Sequence, residues 1–394
     1  MPPTQPSINR EALEALTCDL VRTPSPSTQE GAVAERVAAE MRALGYDAVH
    51  VDAMGNVIGR IGPDEGPRLV LNGHMDTVDV GDLTFWPHDP YAGLVRDGVL
   101  YGRGASDMKG GLAAMIHAGG ALVPLREQLA GSLYVVGVVQ EEPCEGLAMR
   151  HIVEVGGLRP DWVVIGEATN LQIARGQRGR IEMQVIVRGQ SCHASAPERG
   201  VNAIYEAARF VFGLQLLAPQ LQSDSFLGRG TVAATEIQSR AGSHNVVPDH
   251  CLVHIDRRLT IGETEAKALT EVRRILTREA IQAEVEAPIY RSVSYTGYEA
   301  EAREVFPYWI TPDDEPLLRR AAETIETVLG YAPRLGRWEF STDGVYTAGV
   351  AGIPTIGFGP GEERYAHTVD DQVRLADVYA AARVYARLAL EMLA

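Results

Sequence analysis

Leu69-Val70-Leu71-Asn72-Gly73-His74-Met75-Asp76 opens as an uncharged apolar run and closes on an imidazole and a carboxylate. A run this short and this apolar suits a strand buried on both faces of a sheet. The same composition recurs in Leu133 to Val139, Trp162 to Ile165 and Ile353 to Phe358. Each is followed by groups able to bind a cation: Gln140-Glu141-Glu142 after the first, Gly166-Glu167 after the second, and a glycine-rich loop leading to His367 after the third. Helical periodicity in Gly111 to Leu125 and Leu317 to Leu329 lies between such runs, and the alternation predicts an α/β domain with a mostly parallel central sheet flanked by helices. Ligands of such sheets gather at the carboxyl ends of the strands, so residues nearly 300 positions apart are expected to converge there.

Working outward, Arg10 to Leu44 has helical spacing broken at Pro24-Ser25-Pro26-Ser27, which predicts two helices. Between Arg180 and Ile289 the pattern changes. Ile181 to Arg188 alternates, Asn202 to Leu217 is helical, Thr231 to Ile237 and Cys251 to Leu259 alternate, Glu263 to Ala280 is helical, and Ala283 to Ile289 alternates again. This β-α-β-β-α-β order is that of a ferredoxin-like two-layer unit. The expected division is therefore an α/β domain from residues 1–179 and 297–394, with an inserted domain at 180–296.

The chain has 394 residues, with 36 Lys plus Arg against 52 Asp plus Glu, a net charge of −16. That sign disfavours nucleic acid and acidic membrane surfaces as partners, and the acidic surplus reads as solvated surface. The first residues have no basic segment leading into an apolar one, and the longest uncharged apolar stretch, Gly111 to Leu125, contains His117. A cytoplasmic protein that does not span a membrane is expected. Cys18, Cys144, Cys192 and Cys251 have no C-x-x-C spacing and are expected to be reduced thiols.

A further loop, Gly102-Arg103-Gly104-Ala105-Ser106-Asp107-Met108-Lys109-Gly110-Gly111, sets an aspartate just before a helix. Asp107 serves as a helix cap on one reading and as a cation ligand on the other. With the strand-end groups it makes two imidazoles and three carboxylates, a mixed nitrogen and oxygen set suited to Zn2+ and also to Co2+ or Mn2+. Two divalent ions balance three carboxylates and one hydroxide, whereas a single ion leaves carboxylates uncompensated. Glu141-Glu142 as a merely solvated acidic turn is disfavoured by the apolar strand directly before it. His50, His88, His117, His151, His250 and His254 lack such company and read as surface or core residues.

Together these motifs resemble the M20 metallopeptidase family of amidohydrolases, which includes acetylornithine deacetylase, succinyl-diaminopimelate desuccinylase and glutamate carboxypeptidase. The resemblance covers essentially the whole chain. Within that family, Gly176-Gln177-Arg178-Gly179-Arg180, the stretch from Ser191 to Gly200 and Gly357-Phe358-Gly359-Pro360-Gly361 resemble the selenium-metabolism-linked hydrolase group. The resemblance implies a two-metal catalytic domain and an inserted lid and dimerisation domain. His74, Asp107 and Glu167 would hold one metal ion, and Glu142 and His367 the second, with Asp107 shared. Glu141 would be the general base, and the Asp76 carboxylate would orient the His74 ring. His193 would donate to the oxyanion, Asn245 would bind substrate, and Arg258 would grip a substrate carboxylate. Arg257, one strand position away, would face the other side. A cis peptide bond between Asp107 and Met108 and a homodimer with His193 acting on the partner's site are also implied.

Where the family's first motif usually ends in Val-Pro, this chain has Val78-Asp79, a departure that bears on the mouth of the pocket. The expected function is hydrolysis of an amide bond in a small carboxylate-bearing substrate, with N-acyl amino acid deacylation first, dipeptidase or carboxypeptidase activity second and N-carbamoyl amidohydrolysis third. The contrasting expectation is a catalytically silent binding or scaffold protein, against which the complete ligand set argues.

Overall fold

The computed structural model describes residues 5–394. The chain divides into two compact units. The first comprises the residues up to Gln177, Arg291–Glu301 and Trp309–Ala394; the second comprises Arg178–Tyr290 and Ala302–Tyr308.

A nine-stranded sheet forms the centre of the first unit. The strand Arg68–His74 lies within it, parallel to Ser132–Val138 on one side and to Trp162–Ile165 on the other. Thr355–Gly357 adds a further parallel strand beside Trp162–Ile165. Val57–Ile61 and Ala48–Val51 extend one edge in antiparallel fashion, and Ile173–Gln177 lies beyond Thr355–Gly357. Leu69, Val70 and Leu71 are all fully buried, as expected where helices cover both faces of a parallel sheet. The helix Gly110–Leu122 is buried along nearly its whole length. Its glycines permit this: a Cβ at Gly111 would collide with the carbonyl of Gly166, in the loop that carries Glu167. Among the described residues no helix is long and apolar enough to cross a membrane.

In the second unit the strands run in the order Thr231–Ser239, His250–Leu259, Gly179–Arg188 and Ala283–Glu286, all antiparallel. One face buries Ile181, Met183, Val185 and Val187 with Cys251, Val253 and Ile255, and the helices Ala203–Leu217 and Glu265–Arg278 cover it through residues such as Phe210, Leu214 and Val272. Asn202 and Thr264 cap those helices through their side-chain oxygens, contacts worth about 1 kcal/mol each. Strand alternation thus places a complete apolar layer on one side.

The chain passes between the units more often than the sequence pattern indicates. The expected return was at 297, whereas the residues from Arg291 already belong to the first unit, and Ala302–Tyr308 belongs again to the second. The cause is a hairpin, Ile289–Val293 with Glu299–Arg303. Near its tip the Tyr295 hydroxyl donates to the Gly55 carbonyl at 3.0 Å, and Thr296 donates to the Ala53 carbonyl at 2.7 Å. Val305–Phe306 then pairs beside Arg180 and Ile181. Alternation reads alike whichever unit a strand joins, so such excursions are invisible in the sequence.

Candidate metal centre

His74 is the last residue of the strand Arg68–His74 and is 1% exposed. Its Nδ1 lies 2.9 Å from the Asp76 backbone carbonyl. A carbonyl only accepts, so Nδ1 carries the proton and Nε2 turns a lone pair to the site. That Nε2 faces Asp107 Oδ1 at 2.9 Å and Glu167 Oε1 at 3.2 Å. Three acceptors in such contact require a cation between them, a proton or a metal ion.

Asp107 stands between the two imidazoles, with its Oδ2 3.1 Å from Nε2 of His367. His367 also meets Glu142 Oε2 at 2.8 Å. The Asp107–Met108 peptide bond is cis. Burial works to raise the Asp107 pKa, but the two histidines outweigh it and hold the carboxylate below its usual range. His367, bonded to Asp107 and Glu142, is pushed up to about 10. Glu167 rises to about 7, first through burial and then through the charge of Asp107. Glu141 is raised well above the carboxylate range, chiefly by burial and with Glu167 and Asp343 adding to it.

Two triads, His74 with Glu141 and Glu167 and His74 with Asp107 and Glu142, each bring ligand atoms within 4.8 Å of one another. Glu141 Oε1 and Glu167 Oε2 are buried without a hydrogen-bond partner, a costly arrangement for carboxylates that a divalent cation relieves. The donor set therefore fits divalent metal ions.

One contact differs from the sequence expectation in its atoms. The Asp76 backbone carbonyl meets the His74 ring, while the nearer carboxylate oxygen is 3.7 Å from Nδ1. The carboxylate instead accepts the Glu141 N–H at 3.1 Å, the Glu142 N–H at 3.2 Å and the Ser27 hydroxyl at 2.7 Å. The chain turns after His74, so the strand alternation that would set both side chains on one side stops there.

In the second unit, His193 and Asn245 are exposed and adjacent: His193 bridges to Val246, and the Ala194 N–H donates to the Asn245 carbonyl at 2.8 Å. The Ser195 N–H donates to His193 Nδ1 at 3.1 Å. Neutral His193 therefore carries its proton on Nε2, where it is able to donate. Arg258 is not brought to the same place. It pairs in register with Arg180, whereas His193 follows Arg188 at the other end of that strand, and eight residues at about 3.3 Å each separate the ends by about 26 Å. Arg258 Nε meets Asp256 Oδ1 at 2.8 Å. Arg257 faces the opposite side, buried against Glu263 at 2.6 Å and Glu271 at 3.2 Å.

Several supporting residues escaped the sequence reading. Asp371 accepts the N–H groups of Gly104 at 2.6 Å and Ser106 at 2.9 Å, which secures the loop before Asp107. Asn72 and the Gly146 N–H both donate to Asp343. Ser27 closes the Pro24-Ser25-Pro26-Ser27 break and Glu30 follows it, a stretch whose sequence signal was that of an interruption between two helices.

Comparison with known proteins decides the family. The model of the peptidase family M20/M25/M40 matches residues 70–391. The chain belongs to this family. It is 42% identical over 377 residues to the uncharacterized protein YgeY of Escherichia coli strain K12, covering 95% of this chain and 93% of that protein. It is 30% identical over 391 residues to succinyl-diaminopimelate desuccinylase of Xanthomonas campestris pv. campestris strain 8004, covering 96% and 98%. The M20 metallo-carboxypeptidase Sso-CP2 of Sulfolobus solfataricus shares the fold, with a TM-score of 0.78 at 16% identity over 96% of this chain and 98% of that one. So does YXEP of Bacillus subtilis, described as a dinuclear metal-binding peptidase, with a TM-score of 0.70 at 18% identity over 98% of each chain. This M20 protein is accordingly a hydrolase of amide bonds.

Proposed function

We propose that this M20 hydrolase is a two-zinc N-acyl amino acid deacylase acting in the cytoplasm, with no nucleic-acid or membrane partner. The observation that carries the reading is Asp107 held between His74 and His367, with the Glu141 and Glu167 oxygens buried and unpartnered beside them. His74, Asp107 and Glu167 would hold one ion, and Asp107, Glu142 and His367 the other; Co2+ and Mn2+ suit the same donors. Bound there, the ions supply Lewis acidity, which polarises a carbonyl and makes water more acidic.

Glu141 then takes a proton from the attacking water and delivers it to the leaving nitrogen. Its burial supports this role, because desolvation raises the proton affinity of a carboxyl that has to accept a proton. Nε2–H of His193 donates to the oxyanion, Asn245 orients the substrate, and Arg258 pairs with its free carboxylate. Deacylation is favoured over dipeptidase, carboxypeptidase or carbamoyl hydrolase activity by the likeness to a desuccinylase.

We further propose a homodimer formed through the second unit. The strand from the Arg258 end to the end that leads to His193 spans about 26 Å, more than one small substrate bridges, so His193 and the adjacent Asn245 serve the partner's site. Thr231–Ser239 is an edge strand with most of its residues exposed, and the neighbouring helix exposes Tyr205 and Phe212; pairing two such edges about a twofold axis covers them.

The test of activity is zinc analysis combined with hydrolysis of N-acetyl, N-succinyl, N-carbamoyl and dipeptide substrates. Two ions per chain with strongest turnover of an N-acyl amino acid is expected; a metal-loaded protein inactive on all four classes overturns the reading. For the dimer, inactive Glu141→Ala and inactive His193→Ala chains are mixed under subunit exchange. Recovery of about a quarter of normal activity is expected from random pairing, and no recovery despite exchange means that His193 acts within its own chain.

A further inference from the structure

Glu141 and Glu142 occupy neighbouring positions in a turn, and their separate tasks depend on how that turn is held. Three consecutive backbone N–H groups, of Gln140, Glu141 and Glu142, end on two carboxyl groups. Asp76 takes the last two. Glu30 takes the first, with its Oε1 3.1 Å from the Gln140 nitrogen across 110 positions of sequence.

Glu30 is fully buried where the helix Gly31–Ala43 begins, yet its side chain makes no capping hydrogen bond to that helix. The same Oε1 accepts the Thr28 N–H at 2.9 Å. Thr28 and Gln140 are both non-glycine residues at positive φ, 72° and 55°, a conformation that persists only where the surroundings impose it. One oxygen thus secures two such backbone positions, and one of them immediately precedes Glu141. The other oxygen, Oε2, is buried with no hydrogen-bond partner. A carboxylate would be poorly accommodated there: burial, with the charge of Asp76 adding to it, pushes Glu30 up to about 7.

We propose that Glu30 is a positioning residue which, by accepting the Gln140 N–H, fixes the turn that presents Glu141 and Glu142, and that an uncharged acceptor serves there as well as a carboxyl. This rests on the roles given to those two glutamates above.

Glu30→Ala and Glu30→Gln are compared with the wild type as zinc-loaded proteins. The readouts are kcat and KM on the best substrate of the four-class panel, zinc affinity by chelator competition, and the melting temperature. Partners that orient metal ligands typically contribute 10- to 100-fold to affinity or activity. Glu30→Ala is therefore expected to lower kcat by about 10- to 100-fold with a much smaller change in KM, and to weaken one zinc ion by a similar factor. Glu30→Gln, whose amide oxygen still accepts both N–H groups, should stay close to the wild type in both. A Glu30→Ala protein with wild-type kcat and zinc affinity overturns the proposal, as does a Glu30→Gln protein that falls as far as Glu30→Ala. Should Glu30→Ala fail to fold, Glu30→Asp decides: it is one methylene too short to reach Gln140, so it should lose kcat where Glu30→Gln does not, and wild-type kcat in it overturns the proposal. A wild-type protein inactive on the whole panel would instead count against the deacylase reading, and the zinc-affinity comparison would still judge Glu30.

Discussion

In the second unit, buried charge is arranged to cancel. Arg257 is enclosed by Glu263 and Glu271, Lys267 lies 3.8 Å from Glu263 and supplies the second positive charge, and the other Glu263 oxygen accepts the Thr260 N–H at 2.9 Å. In the first unit the carboxyls of Asp76, Asp107, Glu141, Glu167 and Asp343 crowd around His74, and oxygens of Glu141 and Glu167 have no partner. Both arrangements take ions out of water at a cost. The first closes its own electrostatics and serves the fold; the second leaves them open to a ligand and serves chemistry. Removing a charge should therefore damage stability in one unit and turnover in the other.

The largest effect is expected at Glu141. Glu141→Ala should lower kcat by about 10²- to 10⁴-fold, the range lost with a general base, while elemental analysis still finds two ions per chain. Loss of the metals in this variant would mean that Glu141 and Glu142 have exchanged roles. Arg257→Ala tests the contrasting unit. It leaves buried Glu263 with only the half-exposed Lys267, 3.8 Å away, and should cost about 3–5 kcal/mol, read by denaturant unfolding; a variant as stable as the wild type would remove the distinction between the units.

Arg258→Ala, one residue along, should leave stability within about 0.5 kcal/mol. It should raise KM about 10- to 100-fold for a carboxylate-bearing substrate, the loss of one hydrogen bond to a charged group. Equal losses on a substrate analogue whose carboxylate is replaced by an amide would refute the assigned contact. Chelation of the metals sharpens the comparison from the other side. An ion present at a hundredfold its Kd stabilises by about 2.7 kcal/mol, so hydrogen exchange should accelerate in Arg68–His74 and stay unchanged in Gly179–Arg188. Equal acceleration in both strands would contradict a metal effect confined to one unit.

The smallest effect concerns Glu40, whose pKa is lowered to about 2 mainly by His117, its Nε2 3.3 Å from the carboxylate, with Arg36 adding to it against the effect of burial. A depressed carboxylate stabilises the fold above its unfolded value of 4.5 and loses that contribution as pH falls towards 2. Glu40→Gln should therefore melt below the wild type at pH 6, with the difference shrinking through this window. A constant difference from pH 6 to pH 2 would show that the charge is not its source.

Much of this could be read from the chain before any coordinates. The apolar runs at Leu69, Leu133 and Trp162 predicted buried parallel strands because hydrophobic composition and side-chain period are local properties. The groups after them were recognisable as a set because strand ends of one sheet share an edge. The alternation of Cys251 to Leu259 likewise separated Arg258 from Arg257. What the sequence could not express is any contact that depends on two distant backbones meeting at a given angle. The hairpin at Arg291–Glu301 joined the first unit through the Tyr295 and Thr296 hydroxyls, although its pattern suits either sheet. Asp76 gave its carboxylate to the Glu141 and Glu142 N–H groups because the chain turned after His74. Glu30 reached Gln140 because the helix Gly31–Ala43 starts beneath that turn. Residue types and their periods are written along the chain, whereas buried backbone N–H groups take whichever acceptor the packed fold brings to them, and only the tertiary structure decided which acceptor that was.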